Sequence, residues 1–172
     1  IFPAMFGLKN EDCVGNHIYE SKNCKNSFDT KKAEDCKYLY TTHGQKNCLD
    51  ISFTGKENRF FLEGLSIFNC ENSKFSFDIH DSSNMEYSAF CFSCQDCFGC
   101  TGLRNKKYCI LNKQYSKDEY FDLKEKITAQ MKANKFWGEF FPIEVSPFSY
   151  NESVANEYFP LEQSEALSAG YI

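Results

Sequence analysis

An aspartate or asparagine followed directly by a cysteine recurs along this chain, and this pair constrains the fold more than any other feature. The pair occurs at Asp12-Cys13, Asn23-Cys24, Asp35-Cys36, Asn47-Cys48, Asn69-Cys70 and Asp96-Cys97. Cys24, Cys36 and Cys48 are 12 residues apart, and so are Cys97 and Cys109. A period this short, repeated about eight times, predicts a stack of repeats.

Two residues of other types continue the cysteine register. We expect Phe60 and Met85 to take the place of the cysteine in their repeats. The 10-residue and 15-residue steps on either side of Cys70 break the period. Because phenylalanine and methionine can stand at this position, we expect the repeat cysteines to be buried, reduced and stacked as small apolar groups.

Each repeat has the composition of one β-strand and one corner. Stretches rich in aromatic and β-branched residues follow the corners at 37–40, 49–53, 74–77 and 86–90, with partial two-residue alternation. Asp and Asn suit the corner because their side chains tolerate a left-handed backbone. The sequence has no Asn-Gly or Asp-Gly dipeptide, which tight hairpins favour. We therefore predict a mainly β, solenoid-like stack, with an antiparallel β-meander as the alternative.

The sequence divides into a cysteine-marked β-repeat body (1–112), a capping helix (113–135) and an acidic, aromatic tail (136–172). Ser116 and Glu119 form a capping-box pattern, which predicts a helix from about Lys117 to about Asn134. The tail has six glutamates and three of the four prolines, and no Lys or Arg follows Lys135. We expect it to lie extended against the body, with a short helix around residues 163–169.

Four cysteines at three-residue spacing, Cys91, Cys94, Cys97 and Cys100, form the candidate metal site. Thiolates bind soft metals, but a structural zinc site usually has a longer spacer between its two Cys-x-x-Cys pairs. The run is also similar to iron–sulfur ligation, although the proline of the ferredoxin pattern is missing. A ladder of buried thiols and a set of disulfides are the two alternatives to a metal.

Composition limits the classes of binding partner and the cellular compartment that we expect for this chain. The formal net charge of the 172-residue chain is -5, which argues against nucleic-acid binding because that needs a basic surface. No run approaches the length of a membrane span. Ten cysteines would suit a secreted disulfide scaffold, but 18 Phe and 10 Tyr provide core material without disulfides. We expect a cytoplasmic protein, or a secreted one if disulfides are present.

Two stretches carry a resemblance to a known family. They are residues 99–116, GCTGLRNKKYCILNKQYS, and residues 138–152, where GEFFP is followed by SPF and YNE. Together they resemble a family of cysteine-rich repeat proteins of candidate-phyla bacteria whose members often carry zinc-ribbon modules. The resemblance spans roughly residues 13–171 and implies no activity. It implies that this chain is the middle of a longer protein, since the flanking ribbons are missing from this sequence.

These observations predict a non-enzymatic repeat scaffold that presents an extended surface to a protein partner. The alternative is a metal-binding module, for zinc or an iron–sulfur cluster, that uses the four clustered cysteines. An enzyme whose site is assembled across repeats is a third hypothesis, and the sequence leans against it. We expect no cofactor, with zinc as the alternative, and neither a membrane nor a nucleic acid as partner.

Overall fold

A computed structural model describes residues 6–55, 57–140, 148–153 and 155–171 of the chain. These residues form two compact units, Ile1–Gly138 and Glu139–Ile172. The first unit contains the strands and one long helix, and the second contains short helical segments. Part of the second signature stretch, with Pro142, lies outside the described residues, as do Pro147 and residues 1–5.

The first unit is a β-solenoid of about nine turns. Its strands are β1 (Gly7–Leu8), β2 (Val14–Tyr19), β3 (Lys22–Lys31), β4 (Glu34–His43), β5 (Gln45–Thr54), β6 (Asn58–Phe68), β7 (Glu71–His80), β8 (Ser83–Glu86), β9 (Ala89–Phe92), β10 (Gln95–Phe98), β11 (Lys107–Ile110) and β12 (Lys113–Gln114). Strands β1 to β11 pair in parallel, and only the terminal pair β11 and β12 is antiparallel. The solenoid is therefore confirmed and the meander is wrong.

The backbone turns every three residues, not once in each repeat. Between one repeat cysteine and the next, Asn26, Asp29, Lys32 and Asp35 all have a left-handed backbone, with φ between +50° and +54°. Each 12-residue coil consequently has four short sides, and every third side chain points inward. The predicted corner before Cys36 is confirmed, and β3 to β7 each contribute one strand per repeat. The single corner per repeat and the two-residue alternation are wrong, because each strand itself turns every three residues.

Inward side chains stack into four columns that run along the solenoid. Column 1 holds Cys24, Cys36, Cys48, Phe61, Ser73, Met85, Cys97 and Cys109. Column 2 holds Ser27, Leu39, Ile51, Gly64, Ser76, Ser88 and Cys100. Column 3 holds Ile18, Thr30, Thr42, Thr54, Ile67, Ile79 and Cys91. Column 4 holds Ser21, Ala33, Gln45, Asn58, Cys70, Ser82 and Cys94.

Small hydrogen-bonding side chains suit these columns because they pair with backbone N–H and carbonyl groups that are buried inside the coil. The Ser27 hydroxyl donates to the carbonyl of Lys25 at 3.1 Å and accepts the backbone N–H of Leu39, one coil later, at 3.3 Å. Cys36 has the same two contacts, to the carbonyl of Glu34 at 3.1 Å and from the N–H of Cys48 at 3.4 Å. A buried N–H without an acceptor destabilises a fold. Cysteine and serine therefore make the same hydrogen bonds to the backbone inside this solenoid.

One extra residue between β5 and β6 moves the register. Cys48 pairs with Phe61, whereas Phe60 has φ +53° and is 54% exposed. The prediction that Phe60 takes the cysteine position is wrong, because the insertion shifts the period from 12 to 13 residues at this point. Cys70 lies in column 4 and Ser73 holds column 1, which explains the uneven steps around Cys70.

Helix α1 (Lys117–Ala133) follows the last coil, as predicted, and begins at the predicted capping box of Ser116 and Glu119. Its side chains, including the fully buried Tyr120, pack on the outward side chains of Phe98 and Ile110. Trp137 is half-buried, and its ring centroid lies 5.9 Å from that of Phe75 and 5.7 Å from that of Tyr87. No helix within the described part of the chain is long and apolar enough to cross a membrane.

The second unit contains a 3₁₀ turn (Tyr150–Glu152), α2 (Ala155–Tyr158) and α3 (Gln163–Ser168). The short helix predicted around residues 163–169 is confirmed, and Gly170, with φ +88°, follows it. The Tyr150 ring lies 4.6 Å from that of Tyr171. The described part of the tail is more helical than the predicted extended segment, and its packing on the body stays a prediction.

Candidate functional site: a thiol-lined coil and an aromatic face

One coil carries a thiol at each of its four inward positions. Cys91, Cys94, Cys97 and Cys100 come from columns 3, 4, 1 and 2, and each is at most 2% exposed. The three-residue spacing that suggested a metal site in the sequence is thus the period of the solenoid itself. The fold brings the four predicted ligands together as the lining of one turn.

Each of these thiols has a backbone hydrogen-bond acceptor close to it in the chain. Their Sγ atoms donate to the carbonyl oxygen two residues earlier, at 3.3 Å for Cys91, 3.4 Å for Cys94, 3.5 Å for Cys97 and 3.4 Å for Cys100. This is the contact that inward serines make elsewhere in the stack. Hydrogen bonding to the backbone therefore accounts for a cysteine at each of these four positions, and no ligand has to be invoked.

The pKa of the Cys97 thiol depends on Cys100 in the same turn and on Cys109 one coil later. The hydrogen bond from Cys97 lowers the pKa of Cys100, in opposition to the effect of burial. The same bond, together with burial, raises the pKa of Cys97. Cys97 therefore holds its proton while Cys100 is the easier thiol to ionise.

The arrangement does not form a ready tetrahedral site. Within the described residues, no three Cys, His, Asp or Glu side chains are placed to hold a metal ion together. Structural zinc takes four protein ligands. Binding of zinc or an iron–sulfur cluster at these cysteines stays a prediction.

A run of large apolar side chains, most of them aromatic and exposed, occupies the outward positions after column 2, and we call it the aromatic face. Its members are Phe28, Tyr40, Phe53, Leu65, Phe77 and Phe90. Phe28, Tyr40, Phe53 and Phe90 are 48%, 47%, 53% and 45% exposed. Two pairs of rings contact edge to face, with centroids 5.5 Å apart for Tyr40 and Phe53 and 5.0 Å apart for Phe77 and Phe90. Because pairing strands lie about 4.8 Å apart, these side chains form an apolar strip along the coils, in which Ser52 and Ala89 pair with Tyr40 and Phe77.

The outward positions after column 4, which we call the polar face, lie on the opposite side of the four-sided coil. Amide and carboxylate side chains there bond across coils, as in Asn72 to Asn84 at 2.7 Å and Asn84 to Asp96 at 2.9 Å. The Lys46 ammonium lies 2.8 Å from the Glu34 carboxylate. A partner would therefore meet an apolar surface on one face and a polar, charged surface on the other.

Sequence reasoning missed the aromatic face, although its signal was present. Phe28 and Tyr40 are 12 residues apart, and so are Leu65 and Phe77. A count by 12 from Phe28 finds Tyr40 but then reaches Ser52, and the extra residue between β5 and β6 shifts the count before Leu65. The row is therefore only partly visible in the sequence.

A scan against protein-family models and a search of curated proteins find no match for this chain.

Proposed function

We propose that this protein is a non-enzymatic repeat scaffold whose aromatic face binds a protein partner. The observation that supports this proposal is the exposure of large apolar side chains on the same side of successive coils. A contiguous apolar patch on a protein surface is typical of interaction sites. Aromatic residues, phenylalanine included, are also enriched in the cores of protein interfaces.

Rigidity supports the same proposal. Parallel pairing holds Phe28 beside Tyr40 and Leu65 beside Phe77, so the rings are held in place before a partner arrives. Ordering flexible side chains opposes association, and a pre-organised surface avoids part of that cost. The solenoid thus supplies a pre-organised recognition strip.

Phe53 and Phe60 provide a matched pair for the test. Both have a left-handed backbone, with φ +52° and +53°, and they are 53% and 54% exposed. Phe53 lies on the aromatic face and Phe60 on the polar face. A photo-reactive phenylalanine analogue at each position, in cells of the source organism, would report contacts on each face.

We expect one discrete cross-linked protein from position 53 and none from position 60. That protein, once purified, must bind the wild-type chain and lose affinity for Phe53→Ser. Equal cross-linking from both positions, or unchanged binding by Phe53→Ser, would refute the proposal.

The second candidate function is metal binding by the thiol-lined coil. The observation that favours it is the presence of sulfur at all four inward positions of one turn. Zinc titration of the reduced protein, with Cys91→Ser/Cys94→Ser as the variant, tests a four-thiolate site. One zinc bound by wild type and none by the variant would support it, and equal zinc binding by both would exclude it.

Two other assignments remain proposals. Ten free thiols, nine of them buried, suit a reducing compartment and support a cytoplasmic location. Membership of the cysteine-rich repeat family of candidate-phyla bacteria is supported by the two signature stretches at 99–116 and 138–152.

A further inference from the structure

Five exposed cations cluster at the C-terminal end of the solenoid, and we call this surface the basic end. Residues 97–117 contain all five and none of the 24 Asp and Glu residues of the chain. The cations are Arg104, Lys106, Lys107, Lys113 and Lys117. The basic end therefore contrasts with the chain as a whole, whose formal net charge is -5.

Strand pairing brings the two parts of the basic end together. Strands β11 and β12 run antiparallel, with Ile110 opposite Lys113. The side-chain amide of Gln114 donates to the backbone carbonyl of Lys107 at 3.1 Å. The chain segments before and after the turn at 111–112 therefore lie side by side, and the lysines of one segment lie near those of the other.

The cations of the basic end differ from those of the first coils because they have no carboxylate at contact distance. The Lys25 ammonium, for example, lies 2.6 Å from the carboxylate of Asp12 in the preceding coil. In the part of the chain that the structure describes, none of the five cations of the basic end lies in an ion pair. Glu119, on which Lys113 acts electrostatically, is itself held by Ser116 in the capping box. The positive charge of the basic end is consequently available to an anion from outside.

Arg104 is held in place by a stack of rings. The ring of His80 lies between those of Phe68 and Phe92, with centroids 4.8 and 4.9 Å away. The guanidinium carbon of Arg104 lies 4.4 Å from the centroid of Phe92 and ends this stack. A guanidinium presents its N–H groups as a rigid fork that matches a carboxylate. The stack therefore orients one donor of the basic end before a ligand binds.

We propose that the basic end binds an extended acidic segment of a protein partner. Strand β12 is the last strand of the sheet and both of its residues are exposed, so a peptide can add its backbone beside it. Lysines on an edge strand oppose pairing with most other strands, whereas a strand of opposite charge pairs favourably with them. Nucleic acid needs a longer basic surface, and carboxylates neutralise lysines of the first coils here. The basic end is separate from the aromatic face, and neither depends on the other.

Fluorescence anisotropy of a labelled peptide tests the proposal. The probe has four Glu-Thr repeats, and a peptide of four Gln-Thr repeats is the neutral control. The full chain is compared with Lys106→Gln/Lys107→Gln/Lys113→Gln and with Lys9→Gln/Lys32→Gln/Lys37→Gln, which removes the same charge from exposed positions of the first coils. We expect the first variant to bind the acidic peptide about 10-fold more weakly or worse. The second variant should stay within about twofold of wild type, because salt screens distant charges.

Arg104→Lys separates the arginine fork from charge alone. Lysine keeps the charge but loses the fork and the stacked geometry, so this variant should bind the peptide about threefold more weakly. Failure of the wild type to bind the acidic peptide, or equal loss in both lysine variants, would overturn the proposal. Tighter binding of an eight-nucleotide oligothymidylate would contradict a peptide partner and indicate nucleic acid. Phe28→Ser/Tyr40→Ser/Phe53→Ser should bind the peptide as wild type does, so failure of the aromatic face to bind a partner would leave this site intact.

Discussion

Gly64→Ala tests the packing that the inserted residue imposes on the solenoid interior. A Cβ atom at Gly64 would lie 2.6 Å from Cε1 of Phe61 and 3.0 Å from Cγ1 of Ile67. Contacts this short force a shift in a ring that is 2% exposed. Overpacking of a core costs about 1–3 kcal/mol. We expect Gly64→Ala to lower the free energy of unfolding by an amount in this range, measured by urea denaturation.

A double-mutant cycle identifies the cause. Phe61→Leu removes Cε1, the ring atom closest to the added Cβ, so Gly64→Ala should cost less in that background, with a coupling energy of about 1 kcal/mol or more. Phe60→Leu is the matched control, because Phe60 is exposed and should show no coupling with Gly64. A neutral Gly64→Ala, or equal coupling to both phenylalanines, would refute the register that we describe.

Two further perturbations test the docking of helix α1. Ser116→Ala should lower stability by about 1 kcal/mol through loss of the cap. The bonds from Ser116 lower the pKa of Glu119, so the contribution of the capping box is complete above the usual carboxyl pKa. It is lost as the pH falls through the lowered value, and acid titration of wild type and Ser116→Ala by circular dichroism should show it. Trp137→Ala should lower the free energy of unfolding by about 2 kcal/mol, which is less than for a fully buried ring, because the ring of Trp137 is only half-buried against Phe75 and Tyr87. An unchanged melting temperature would contradict this packing.

The sequence was sufficient to predict the solenoid because few architectures are compatible with a 12-residue period. Cys24, Cys36 and Cys48 mark one column directly, and the capping box at Ser116 marks the start of helix α1. These features are local in sequence, and local backbone preferences decide them.

The three-residue geometry was harder to read. Left-handed backbone occurs at residues such as Lys32, Tyr38 and Phe53, which have no intrinsic preference for it. The stack imposes that conformation, because each coil must turn four times to pair with its neighbours. Single-residue propensities at these positions therefore pointed to ordinary strands.

The insertion needed the three-dimensional structure for a related reason. An extra residue near Gly55 moves Phe60 outward and Phe61 inward, and the sequence shows this only as an irregular step. The spacing of Cys91, Cys94, Cys97 and Cys100 indicates a cluster, but only the four-sided coil shows that each cysteine lies in a different column.

Affinity for the cross-linked partner is the measurement that tests the central claim most directly. Isothermal titration would compare wild type, a Phe28→Ser/Tyr40→Ser/Phe53→Ser variant and Phe60→Ser, each checked for native circular dichroism. If the aromatic face binds the partner, the triple variant loses about 2 kcal/mol or more, roughly 30-fold in Kd, since it removes central anchors. Phe60→Ser should stay within about twofold of wild type, because rim and distant positions contribute little. Equal affinity of the wild type and the triple variant, or a loss confined to Phe60→Ser, would contradict the account.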